Sequence, residues 1–158
     1  QSDTPFAIRY PRGTGRGVEW RDMPFEAIEV GKARQVREGS DVAVFVFGAL
    51  CVDAEQAAEQ AEVIGVSTAV YDMRFAKPLD NELIVEVARK FKRIVTVEDG
   101  VIRGGAGEAV IKLINDNNIS IQVITLGIDD SFVEHGKVPE LRHLCGYDVE
   151  GILHAIVE

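Results

Sequence analysis

From Asp41 onward the chain alternates apolar runs with amphipathic stretches at intervals of about 25 residues. Residues 42–47 form a continuous run of β-branched, aromatic and small apolar side chains ending at Gly48, the pattern of a strand buried on both faces. Residues 50–64 are rich in Ala, Glu and Gln, with Cys51, Val52, Ala54, Ala58, Ala61 and Ile64 apolar, and predict a helix closed by Gly65. Residues 67–71 predict the next strand. Pro78 and Asp80 then open a helix with an N-cap carboxylate, whose apolar stripe is Leu83, Ile84, Val87, Ala88 and Phe91. A strand over 94–97 follows. Gly104-Gly105-Ala106-Gly107 leads into a helix with Val110, Ile111 and Ile114 on one side, and residues 121–126 predict a further strand. Two short helices, around 139–144 and 149–157, close the chain.

Strands and helices in alternation mean βαβ units. The sequence therefore predicts an α/β fold, an open three-layer sandwich with a mostly parallel sheet and helices on both faces. Residues 1–24, with Pro5, Pro11, Pro24 and glycines at 13, 15 and 17, read as an extended arm, and 25–158 as the α/β domain. A short strand over 7–10 would be the last strand of whatever precedes. Two β-prone runs, 26–30 and 33–36, flank Gly31-Lys32 and predict a hairpin or an antiparallel edge strand.

With 158 residues and 46% hydrophobic content, the chain is long and apolar enough for one domain with its own core, which excludes disorder and a disulfide-stapled miniprotein. No apolar run reaches the ~18 residues of a membrane helix. Residues 1–5 are polar and lead into no signal peptide, so no membrane is expected and the cytoplasm is. The opening Gln1-Ser2-Asp3-Thr4, without Met, is expected of a piece of something larger. The net charge of −9 argues against nucleic acid as a partner. That charge is uneven: residues 1–40 carry 7 Lys+Arg against 6 Asp+Glu, and the remainder 10 against 20. Arg9, Arg12, Arg16 and Arg21 form a cluster suited to a small anion, since the guanidinium fork matches phosphate.

Several constellations could carry chemistry. Gly104, Gly105 and Gly107 at a helix start make a candidate anion cradle, or let strand and helix, or another subunit, approach closely. The run lacks the Gly-Lys-Ser/Thr ending of a P-loop and fails Gly-x-Gly-x-x-Gly, with Val at 110. Cys51 and Cys145 form no Cys-x-x-Cys pair, and His135, His143 and His154 are not spaced as a helical metal pair. Asp129, Ser131 and His135 could be drawn as a triad, but only geometry makes one. The residues thus point to no catalytic centre and no metal ligands.

Taken in order, several segments resemble the C-terminal part of the 1-deoxy-D-xylulose 5-phosphate synthase family, transketolase-like thiamine diphosphate enzymes. The resemblance rests on Ala7-Ile8-Arg9-Tyr10-Pro11-Arg12-Gly13, on Asp72-Met73-Arg74-Phe75-Ala76-Lys77-Pro78-Leu79-Asp80, and on Val95-Thr96-Val97-Glu98-Asp99-Gly100 with the glycine run after it. Phe132-Val133-Glu134-His135-Gly136 and Gly146-Tyr147-Asp148-Val149-Glu150-Gly151-Ile152 extend it.

The resemblance implies a three-domain homodimer that joins pyruvate to glyceraldehyde 3-phosphate, with loss of carbon dioxide, at the start of non-mevalonate isoprenoid synthesis. Thiamine diphosphate and magnesium would lie between the first two domains. This chain would be the third domain plus the tail of the second, non-catalytic and without cofactor. Arg12 would match the arginine that grips the substrate phosphate, with Arg9 beside it. Asp99-Gly100 and Asn117-Asn118 imitate the family's Gly-Asp-Gly and asparagine signature, but Glu98 replaces the first glycine and the interval is too short. Two alternatives stand beside this reading. One is a separate anion- or nucleotide-binding module using Gly104–Gly107; the other is the corresponding domain of a 2-oxoacid dehydrogenase component, against which Tyr10-Pro11-Arg12-Gly13 argues.

Overall fold

The computed structural model describes Pro5, Ala7 and residues 21–24 and 26–158. Five strands form one sheet: β1 (Arg34–Arg37), β2 (Val42–Phe47), β3 (Thr68–Asp72), β4 (Arg93–Val101) and β5 (Gln122–Ile128), in the order β1-β3-β2-β4-β5. β2, β3, β4 and β5 run parallel; β1 pairs antiparallel with β3 at one edge. Helices α1 (Cys51–Val63), α2 (Asn81–Lys90), α3 (Ala106–Asp116), α4 (Val138–Leu144) and α5 (Val149–Val157) fill the connections and the C-terminus.

Side-chain alternation along the central strand explains the layers. Val42, Val44 and Val46 face α1 and α5, whereas Ala43, Phe45 and Phe47 face α2 and α3. All six are buried, which is why β2 reads as unbroken apolar sequence. On the first face α1 presents Ala54, Ala57, Ala58 and Ala61, all buried, so its axis can lie close to the sheet. On the second, Phe45 meets the Tyr71 ring edge-on at 5.6 Å.

The three-layer α/β fold and the antiparallel edge strand are as the sequence predicts; the hairpin is not found. Residues 26–30 form no strand and are exposed, with no layer to bury them. Only the second run pairs, as β1, and its partner is β3. Strand β4 also runs beyond residue 97 to Val101, through a bulge against β5. The strand expected over 7–10 falls, apart from Ala7, outside the described residues.

Candidate functional site

In an open parallel sheet the crevice lies at the carboxyl ends of the strands where the winding changes direction. Here β2 leads to β3 on one side and β4 to β5 on the other, so the crevice lies between Phe47-Gly48 and Glu98-Asp99. The glycine loop enters it. Glu98, only 8% exposed, accepts the amide of Ala106 at 2.9 Å through Oε2 and that of Gly107 at 3.0 Å through Oε1. The Gly105 N–H donates to the Ile102 carbonyl at 3.0 Å, and that of Gly104 to Glu108 Oε2 at 2.8 Å. Every amide from Gly104 to Gly107 is therefore engaged within the chain. The anion at the positive end of α3 is the Glu98 carboxylate. Glycine is required by closeness: a Cβ at Gly107 would lie 2.5 Å from Thr96 Oγ1, and one at Gly105 would strike the Glu98 carboxylate.

Asp99, the next residue, points to the other face. Its Oδ2 accepts Arg142 Nη2 at 2.9 Å and its Oδ1 accepts the Tyr147 hydroxyl at 3.0 Å. Arg142 Nη1 also donates to Asp53 Oδ2 at 3.2 Å, so one guanidinium ties β4, α1 and α4 together. Burial, then the Asp99 charge, push Tyr147 up to about 12, which keeps it a neutral donor at physiological pH. One turn on, His143 Nδ1 lies 2.7 Å from Asp148 Oδ2, while Asp148 Oδ1 accepts the Gly151 amide and caps α5. With Glu150 these form a group of three potential metal ligands, their atoms all within 4.8 Å of one another. Two of the three are exposed, and Asp148 already spends one oxygen on the cap.

The segment Asp72 to Asp80 clasps the entering chain. Asp72 accepts Arg34 Nη2 at 3.0 Å through Oδ2 and the Arg74 amide at 3.2 Å through Oδ1. Arg74, in the left-handed region at φ 52, donates Nη2 to the Ala33 carbonyl at 3.0 Å. Asp80, 6% exposed, caps α2 through Leu83 N at 3.3 Å and takes the Ala33 amide at 3.1 Å on its other oxygen. A cleft of about 580 Å³ lined by Glu26, Ile28, Arg34, Gly48, Asp72, Arg74 and Phe75 opens beside the clasp.

Of the residues singled out in the sequence, Arg9 and Arg12 lie outside the described residues. Gly104, Gly105 and Gly107 come together as a loop that already holds Glu98. Asp129, Ser131 and His135 are exposed in the segment after β5, and no hydrogen bond joins their side chains. Asp99 and Asn117 lie at opposite ends of α3 and of the strands it packs on, separated by the length of that helix, roughly 16 Å. They do not form a metal and diphosphate site. Cys51 and Cys145 are half-buried thiols against the α1/α5 core. No described helix is long and apolar enough to cross a membrane. Sequence reasoning missed Arg142, whose partners lie 43 and 89 residues away.

Known proteins share this architecture. The chain is 47% identical over 154 residues to 1-deoxy-D-xylulose-5-phosphate synthase of Phocaeicola vulgatus, and 49% identical over 155 residues to that of Bacteroides fragilis. These alignments take in 97% and 98% of this chain and 24% of each relative, so the chain spans about a quarter of their length. Among solved structures, a split-gene transketolase described as an inactive β4 tetramer matches with a TM-score of 0.76 and 32% identity, over 82% of this chain and 42% of that one. Transketolase of Campylobacter jejuni shares the fold at a TM-score of 0.58 and 16% identity, over 78% of this chain and 18% of its own. The sequence pattern of the transketolase C-terminal domain matches residues 31–152. This chain belongs to the family of transketolase C-terminal domains.

Proposed function

We propose that the chain is the C-terminal domain, preceded by the tail of another domain over residues 1–24, of an enzyme that makes 1-deoxy-D-xylulose 5-phosphate. The whole enzyme would condense pyruvate with glyceraldehyde 3-phosphate in the cytoplasm as a homodimer, using thiamine diphosphate and magnesium. The observation that carries this reading is the reach of the resemblance. The synthases align over nearly the whole chain, whereas the domain pattern itself begins at residue 31. The arm with Arg9 and Arg12 thus travels with the domain in these relatives.

Within that enzyme the domain's work is mechanical: it packs and associates, and the clasp of Asp72, Arg74 and Asp80 fixes the chain at Ala33 and Arg34, where it enters the domain. Arg12 would hold the phosphate of glyceraldehyde 3-phosphate, with Arg9 in support. The glycine loop, filled by Glu98, favours close internal packing over the reading as an anion-binding module. The split-gene transketolase chain is an inactive assembly of like chains, and we extend that combination here as self-association without turnover.

The test has two parts. The 158-residue chain is expected to give no product from pyruvate and glyceraldehyde 3-phosphate and no calorimetric signal with thiamine diphosphate and magnesium; turnover would overturn the reading. In the full-length enzyme, Arg12→Ala is expected to raise KM for glyceraldehyde 3-phosphate by roughly tenfold or more, the scale of one charge-assisted hydrogen-bonded contact, and to leave KM for pyruvate unchanged. An unchanged KM for the phosphorylated substrate would remove Arg12 from that role.

A further inference from the structure

The turn between α4 and α5 brings two histidines and two carboxylates to one place. Gly146, at φ 71, reverses the chain after α4, and a Cβ at Gly151 would strike the Gly146 carbonyl. These two glycines let the last turn of α4 lie against the first turn of α5. His143 from α4 thereby meets Asp148 and Glu150 from the start of α5. Its Nδ1 lies 2.7 Å from Asp148 Oδ2 and 4.0 Å from Glu150 Oε2. His154 stands four residues after Glu150, on the same face of α5. All four line one open cleft of about 490 Å³, and among the described residues no lysine or arginine lines it.

The geometry points to this cleft as a site for a divalent transition ion of the zinc class, held by His143 Nδ1, Asp148 Oδ2 and Glu150 Oε2, with His154 as the fourth ligand. The first three ligand atoms lie within 4.8 Å of one another. A tetrahedral zinc ion, with bonds of ~2.0–2.1 Å, sets its ligands roughly 3.3 Å apart. That spacing falls between the 2.7 and 4.0 Å found here. Asp148 serves as cap and ligand without conflict, because Oδ1 takes the Gly151 amide while Oδ2 faces His143. The amide fixes the carboxylate's orientation, as partners behind a metal ligand do. Two carboxylates outweigh the roughly half positive charge at the start of α5. Imidazole nitrogens select against magnesium, which takes oxygen ligands and keeps its water. The ion would replace the His143–Asp148 hydrogen bond and tie α4 to α5. Its ligands, His-x4-Asp-x-Glu-x3-His across two helices, escape a search for a helical histidine pair.

Calorimetric titration of the 158-residue chain with zinc chloride, and separately with magnesium chloride, tests this. The expected result is one saturable zinc site per chain and no magnesium signal at the same concentrations. His143→Ala and Glu150→Gln, both at exposed positions, should each weaken zinc binding by roughly tenfold or more. His135→Ala, at an exposed histidine outside the cleft, should leave it unchanged. In the unaltered chain, zinc should shift the imidazole resonances of His143 and His154 and leave those of His135 in place. That measurement decides the matter if a variant fails to fold. No zinc binding, or binding that survives His143→Ala, overturns the site. Equal loss in His135→Ala overturns it too, since any surface histidine would then serve. Magnesium binding as tight as zinc overturns the choice of ion, and an unmoved His154 resonance removes the fourth ligand.

Discussion

Glu98 and Asp99 stand side by side at the end of β4, and the pleat sends them to opposite faces. Glu98 turns toward α3, is almost wholly buried, and is held by two backbone amides that only glycine at 105 and 107 allows to come so close. Asp99 turns toward α4 and α5, is 43% exposed, and is held by the side chains of Arg142 and Tyr147. The difference lies in how each could be replaced. A buried carboxylate on backbone donors leaves unsatisfied amides when removed, because nothing else can reach them. A half-exposed carboxylate on side-chain donors leaves Arg142 with Asp53 as a second partner, and strands only the Tyr147 hydroxyl. Adjacent acids of similar chemistry should therefore differ several-fold in what they contribute to stability.

The largest effect is expected at Glu98→Ala, which strips the cap from α3 and should cost about 2–3 kcal/mol. That would lower the melting temperature by roughly 4–10 °C. A shift no larger than that of an Asp99 variant would break the comparison. Next, Gly107→Ala places a Cβ 2.5 Å from Thr96 Oγ1 and 3.0 Å from Thr125 Cγ2, and should cost about 1–3 kcal/mol in urea denaturation. Gly100→Ala is its control. There the added Cβ meets only Glu98 Oε2, at 3.7 Å, and the change should stay within about 0.5 kcal/mol.

On the other face, Asp99→Asn keeps an amide oxygen that can accept from Tyr147 and leaves Arg142 its bond to Asp53, and should cost about 1 kcal/mol. A double-mutant cycle with Arg142→Met should return a coupling of similar size.

The smallest effect is a pH dependence at the neighbouring helix junction. The hydrogen bond to Asp148, then its charge, raise His143 above its ordinary 6.5. Burial pushes Asp148 up, but the Gly151 amide and His143 outweigh it and leave Asp148 below its ordinary 3.8. The His143 contribution is complete below pH 6.5 and is lost as pH rises through the raised folded value. The Asp148 contribution is complete above pH 3.8 and is lost as pH falls through the lowered one. Melting curves should thus show the junction firmest between those limits, and His143→Asn should flatten the alkaline side.

Much of the fold was legible because each buried layer imposes its own period. The unbroken run 42–47 could only be a strand covered on both faces, and the stripe of Ile84, Val87 and Ala88 only a helix covered on one. Asp80 was legible as a cap from its place before that stripe, and the structure bears this out at Leu83 N. Its second bond, to Ala33, was not, since nothing local to residue 80 records a partner 47 residues away. The glycine run was legible as a place of close approach, but not what approaches. Glu98 carries no local mark separating it from Asp99. Of the hairpin or edge strand expected over 26–36, the edge strand forms as β1, whereas β propensity in 26–30 meets no covering layer and gives no strand.

The sequence by itself determined the succession of strands and helices, the caps and breaks between them, and the family resemblance, because these depend on residues close together along the chain. Only the tertiary structure decided that Glu98 fills the glycine loop, that Arg142 joins Asp53 to Asp99, and that β1 pairs with β3 at the edge of the sheet. These depend on which elements become neighbours. Sheet order is set by how two apolar faces are buried at once, so those neighbours exist only after the whole domain has packed.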